Sequence, residues 1–109
     1  MSRDFDFTPR ASQDIRRIVR WLRKRSQKGA ASWLRSMWQA ALNIAEDAER
    51  YGYASEADNL TEPVREALFK TRRGRRYRII FVFTDSKVRI LRVRRPGERP
   101  LRDRDLRRD

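Results

Sequence analysis

Seven cations carry the chemistry open to this chain: Lys70, Arg72, Arg76, Arg78, Arg92, Arg94 and Arg95, set among aromatic and β-branched residues in its second half. A guanidinium is a planar, permanently charged fork that grips phosphate or carboxylate at two points. Gathered on one surface, such groups would bind a polyanion. They would also stabilise a phosphorane if RNA were cut, but cleavage further needs one group to deprotonate the ribose 2′-hydroxyl and another to protonate the leaving oxygen. The chain has no histidine and no cysteine. Triad hydrolysis and thiolate or imidazole zinc chemistry are thereby excluded, and any proton transfer would fall to Lys, Arg, Tyr or a carboxylate. No metal and no cofactor is expected.

Two turn signals would position these cations. Arg73-Gly74-Arg75 separates the run 64–72 from 76–84, and Asp85-Ser86-Lys87 separates that run from 88–95. Short polar breaks between β-branched and aromatic runs predict hairpins. Pairing Arg72 with Arg76 and Thr84 with Val88 sets Lys70 opposite Arg78, Arg78 opposite Arg94, and Arg92 beside Ile80. Side chains alternate across a strand, so Tyr77, Ile79, Phe81 and Phe83 should share a core face with Phe69, Leu91 and Val93. The other face would carry Leu68, Ile80, Val82, Val88 and Ile90 at one end and the cations at the other. Facing like charges oppose folding by about 0.2–1 kcal/mol per pair. Either a polyanionic partner offsets that cost, or a register slip or splaying of the side chains leaves an ordinary solvated face.

The rest of the chain supplies the support. Phe5 and Phe7 alternate with polar residues in a short first strand. Thr8 caps and Pro9 opens a helix with Ala11, Ile15, Ile18, Val19 and Leu22 on its apolar stripe and Trp21 at the boundary. A second helix is expected from about Ala30, with Leu34, Met37, Trp38, Ala41, Ile44, Ala45 and Ala48 inward and a stop at Tyr51-Gly52. Trp33 and Trp38 read as core or hairpin-seam residues. The acidic stretch 52–63 reads as a loop. The expected fold is α+β: an N-terminal strand, then an antiparallel helical hairpin on one face of a mainly antiparallel sheet, completed by a C-terminal three-strand meander. One domain is expected over 1–97, followed by a charged, flexible tail over 98–109.

Across 109 residues, 28 Lys and Arg against 15 Asp and Glu give a formal charge of +13. Such a balance favours an acidic partner, either nucleic acid or protein. The polar first ten residues do not resemble a signal peptide, and no apolar run is long enough to span a membrane. A cytoplasmic protein is expected.

In its order of elements the chain resembles the RelE/ParE superfamily of bacterial type II toxin-antitoxin toxins, the plasmid-stabilisation type. The likeness rests on Thr8-Pro9 followed by Ala11, Asp14-Ile15, Ile18 and Trp21-Leu22. Phe69-Lys70, Tyr77-Arg78-Ile79-Ile80-Phe81 and the closing Ile90-Leu91-Arg92-Val93-Arg94-Arg95 complete it. The resemblance implies a growth-inhibiting toxin held inactive by a cognate antitoxin, and it implies one of two targets: DNA gyrase in the ParE-like branch, or ribosome-bound mRNA in the RelE-like branch. Arg78 matches the family's Tyr-Arg pair, Lys70 and Arg72 lie near its basic pair on the preceding strand, and Arg94 or Arg95 matches its last basic residue. The nuclease branch commonly has a C-terminal proton-transfer residue such as tyrosine, and 99–109 offers none. The Thr-Pro-x-Ala-x-x-Asp opening and long helices also look more ParE-like, so gyrase poisoning is favoured over mRNA cleavage. If the chain is an enzyme, it would be a ribosome-dependent endoribonuclease without an evident general acid or base. The alternatives are a non-catalytic basic nucleic-acid-binding domain or an inactive toxin relic. An antitoxin would cover a strand edge or the helical hairpin, where Arg16, Arg17, Arg20, Arg23 and Lys24 either receive an acidic segment or are simply solvated.

Overall fold

A computed structural model describes residues 2–109 of the chain. Its elements are β1 (Asp4–Phe7), α1 (Pro9–Arg23), α2 (Gln27–Glu46), β2 (Arg65–Phe69), β3 (Tyr77–Phe83) and β4 (Lys87–Arg94), with 3₁₀ turns at Ala48–Arg50, Ala57–Asn59 and Asp103–Leu106. β1 runs parallel to β4, the other neighbours are antiparallel, and the sheet order is β1-β4-β3-β2. The expected α+β architecture is therefore present.

Thr8 joins the helix to the sheet. Its Oγ1 accepts from the Ala11 N–H at 3.1 Å, capping α1, while its hydroxyl donates to the Leu91 carbonyl at 2.9 Å. The Thr8 N–H donates to the Ile90 carbonyl at 2.9 Å, so the sheet ladder is continued where β1 stops. α2 begins earlier than Ala30, because Ser26 accepts from the Gly29 N–H at 2.9 Å and acts as a cap. It ends at Glu46, short of Tyr51, and the 3₁₀ turn Ala48–Arg50 follows.

The main core lies between helices and sheet: Ile18, Trp33, Met37 and Ile44 meet Phe69, Tyr77, Ile79 and Phe81. Trp33 is buried, with its ring 5.7 Å from Phe69 and 5.4 Å from Tyr77. Trp38 departs from the core assignment: it is 49% exposed and packs on Phe5 and Phe7 at 5.2 and 6.1 Å. Its position on α2 faces the outermost strand, where nothing covers its far side among the described residues.

The strand registers correct two expectations. Leu68, not Lys70, faces Arg78, a shift of two residues that keeps the faces but carries Lys70 beyond the end of β2. The loop between β2 and β3 is longer than the sequence signal, and the Gly74 N–H donates to the Thr71 carbonyl inside it at 3.1 Å. Between β3 and β4 the expected pairs Arg78–Arg94 and Ile80–Arg92 form, but the register then shifts so that Phe81 faces Ile90 and Phe83 faces Val88. Such a bulge inserts one unpaired residue and reverses the alternation beyond it. Leu91 consequently joins the cluster away from the helices, while Val88 and Ile90 enter the main core, the reverse of the expected assignment.

The segment 98–109, expected to hold no fixed structure, packs against the sheet's second face. Leu101 and Leu106 are buried with Ala54, Val64, Ile80 and Leu91 in a second apolar cluster. Among the described residues no helix is long and apolar enough to cross a membrane.

Replacing Thr8 by valine preserves its shape but removes the cap and leaves the Leu91 carbonyl short of a donor. The variant should lose about 2 kcal/mol of stability, read as a lower urea midpoint. An unchanged midpoint would disprove the dual role.

Candidate target-binding site

A buried guanidinium needs a partner, and three of the seven sheet cations find theirs inside the protein. Arg78 on β3 makes a fork-to-fork pair with Glu56, with Nη1 at 2.9 Å and Nη2 at 2.5 Å, and Nη2 also reaches Glu66 Oε1 on β2 at 2.8 Å. Glu56 further accepts from the Leu101 N–H at 2.8 Å, tying the acidic loop to the C-terminal segment. Burial pushes the Glu56 carboxyl upward, but the hydrogen bonds from Arg78 and Leu101 outweigh it and bring the pKa down to about 2.

Arg92 is held from the other side. Its Nε and Nη2 donate to the Asp14 carboxylate at 2.8 and 3.0 Å, and Nη1 donates to the Asp105 carbonyl at 3.1 Å. Asp14 also accepts from the Val93 N–H at 3.0 Å. β1 pairs with β4 only as far as Ile90, so this carboxylate from α1 takes over an edge donor that no strand reaches. Arg99 in turn grips Asp105 with two bonds of 2.8 Å. That hydrogen-bonded pairing, against an opposing effect of burial, holds the Asp105 carboxyl well below the usual carboxylate range.

Arg94 is 3% exposed and donates to the Arg99 carbonyl, with Glu98 3.8 Å away and its own Nε unpaired. Burial pushes its pKa down, and Glu98 partly opposes this. The expected open basic face is thus divided. Arg78, Arg92 and Arg94 lie under the acidic loop and the C-terminal segment, whereas Lys70, Arg72, Arg76 and Arg95 are exposed. Among the described residues, none of those four takes part in a salt bridge. Arg73 and Arg75 in the connecting loop are exposed beside them.

The acceptors Asp14, Glu56, Glu66 and Asp105 were absent from the expected site. Asp14 did carry a signal, since it falls between Ala11, Ile15 and Ile18 on the apolar stripe of α1, where an unpaired carboxylate would be costly. Glu56 and Asp105 sit in polar segments and carried none.

The chain is thus a small α+β domain whose helical hairpin backs a sheet, with exposed cations beyond one sheet end. The family described as the ParE toxin of the type II toxin-antitoxin system, parDE, matches residues 5–100, and the chain belongs to it. No curated protein and no solved structure matches the chain significantly.

Because the Glu56 pKa is depressed when folded, its contribution is complete above the ordinary value of 4.5 and is lost as pH falls toward about 2. The stability gap between wild type and Glu56→Gln should be about 3 kcal/mol at neutral pH and should close across that acid range in urea titrations. A gap independent of pH would contradict the pairing.

Proposed function

We propose that this toxin acts in the cytoplasm by binding DNA gyrase and its DNA rather than by cleaving ribosome-bound mRNA. The observation that carries this reading is the internal neutralisation of Arg78 and Arg92 by Glu56, Glu66 and Asp14. A ribonuclease would need such arginines free at the scissile phosphate, with an acid and a base beside them. Here their charge is already matched by carboxylates that would repel a phosphate. The proposed target contact is the exposed group Lys70, Arg72, Arg76 and Arg95, with Arg78, Arg92 and Arg94 serving to hold the sheet that carries it.

The cognate antitoxin is proposed to lie along the helical hairpin. Ile15, Val19 and Leu34 line a shallow apolar groove there, rimmed by Arg16, Arg20, Arg23 and Lys24. Leu34 is 41% exposed. An amphipathic helix with an acidic margin complements that combination in both hydrophobicity and charge.

With purified gyrase and plasmid, the protein should accumulate cleaved DNA bound to gyrase, and Lys70→Ala with Arg72→Ala and Arg76→Ala should reduce it without lowering the melting temperature. Codon-specific mRNA fragments from translating ribosomes, in place of cleaved plasmid, would overturn the assignment. For the antitoxin, Leu34→Glu should weaken co-purified complex formation by more than about tenfold through loss of one buried anchor. Full affinity in that variant would place the antitoxin elsewhere.

A further inference from the structure

Beside the proposed target surface an open cleft of ≈ 680 Å³ lies between the start of α2, the end of α1, the loop joining β2 to β3, and the turn after β4. Its walls are aromatic and its rim is mainly cationic, with one carboxylate, Glu98, which accepts from the Arg95 backbone N–H at 2.7 Å. Trp21, Trp33 and Tyr77 line it together with Arg73, Arg75 and Arg95. Trp21 is 40% exposed, with the Arg25 guanidinium stacked 4.0 Å from its ring centroid, so a planar ligand would use the indole surface that Arg25 does not cover. Trp33 is 2% exposed, and its ring N–H is buried without an acceptor, an unusual state for an indole donor.

We infer that this cleft binds one unstacked nucleotide of a single-stranded nucleic acid, with the base held among Trp21, Trp33 and Tyr77 and the flanking phosphates on Arg75 and Arg95. A base supplies what the cleft lacks: a flat π-surface for the Trp21 indole and edge acceptors for the Tyr77 hydroxyl. Its phosphates supply the anions for guanidinium groups that have no carboxylate of their own. An acidic peptide would answer the rim charge alone and offer the Trp21 indole no planar partner. The Tyr77 phenol is pushed up by burial and pulled back by Arg95 and Arg75, in keeping with both guanidiniums standing near that ring. Gly97, at φ 79°, occupies the left-handed region in the turn that brings Arg95 and Pro96 to the rim.

The inference extends the proposed target surface, with which it shares Arg95. It is tested without gyrase or ribosomes, so that its failure leaves the gyrase assignment standing.

The probe is a fluorescein-labelled oligothymidylate, followed by anisotropy and by protein tryptophan emission, with the same strand annealed to oligodeoxyadenylate as the duplex control. A bulk effect of the +13 charge is separated by comparing two double variants of equal charge, Arg75→Ala with Arg95→Ala in the cleft and Arg16→Ala with Arg20→Ala on the outer face of α1. All four residues are exposed, and both proteins should retain the wild-type urea midpoint. The single strand should bind more tightly than the duplex and quench tryptophan emission, the cleft variant should lose at least about tenfold more affinity than the α1 variant, and Trp21→Ala should lose about tenfold. Equal losses in the two double variants, duplex binding as tight as single-strand binding, no binding at all, or displacement of the strand by a short acidic peptide containing tryptophan at lower concentration than by unlabelled oligothymidylate would each overturn it.

Discussion

The second face of the sheet depends on one ion pair, the fork between Arg78 and Glu56. A half-buried guanidinium on an inner strand cannot remain there unpaired, and a glutamate 7% exposed cannot remain charged without donors. Their mutual pairing resolves both problems and fixes three segments at once: β3 through Arg78, the acidic loop through Glu56, and the C-terminal segment through the Leu101 N–H. The buried leucines of the tail can then cover Ile80 and Leu91. Without the pair, two apolar side chains would be weak cause for twelve highly charged residues to stay ordered.

A second constraint operates at the β4 edge. β1 pairs with β4 over four residues, and beyond Ile90 the strand would present bare polar groups beneath the start of α1. Thr8 and Asp14 meet that need with the Leu91 carbonyl and the Val93 N–H. Asp14 also holds Arg92, and Arg92 reaches the Asp105 carbonyl. The two networks thus converge on the C-terminal segment, one at Leu101 and the other at Asp105, over the same face of the sheet. The carboxylates needed come from α1, the loop, β2 and the tail, and among the described residues none forms a salt bridge with the cations around the β2–β3 connection.

Local signals were legible and distant ones were not. The Thr8-Pro9 cap, the stripe of α1, the apolar run of β3 and the aromatic core face follow from spacing alone. Trp33 in the core and Trp21 at its boundary follow as well. The bulge at Leu91 did not, because Val88 to Val93 reads as an uninterrupted strand and nothing local marks the extra residue. Lys70 was misplaced by two positions because hairpin register depends on loop length, and Arg73-Gly74 marked the turn without marking its span. Most consequential were the ion pairs, since Arg92 and Asp14 are 78 residues apart and Arg78 and Glu56 are 22 apart. The cations of the site are legible in the sequence, but the carboxylates that neutralise three of them on β3 and β4 are not; the one usable clue is an aspartate on an apolar stripe.

The division between neutralised and free cations is the central claim, and a carbon-13 NMR titration of the Glu56 side-chain carboxyl in the folded protein tests it directly. The account predicts a midpoint near 2, with the chemical shift otherwise flat above pH 4. A midpoint at or above the ordinary 4.5 of a free glutamate would mean that Arg78 is not held by this residue, and the arginines of the sheet would again be open to a phosphate.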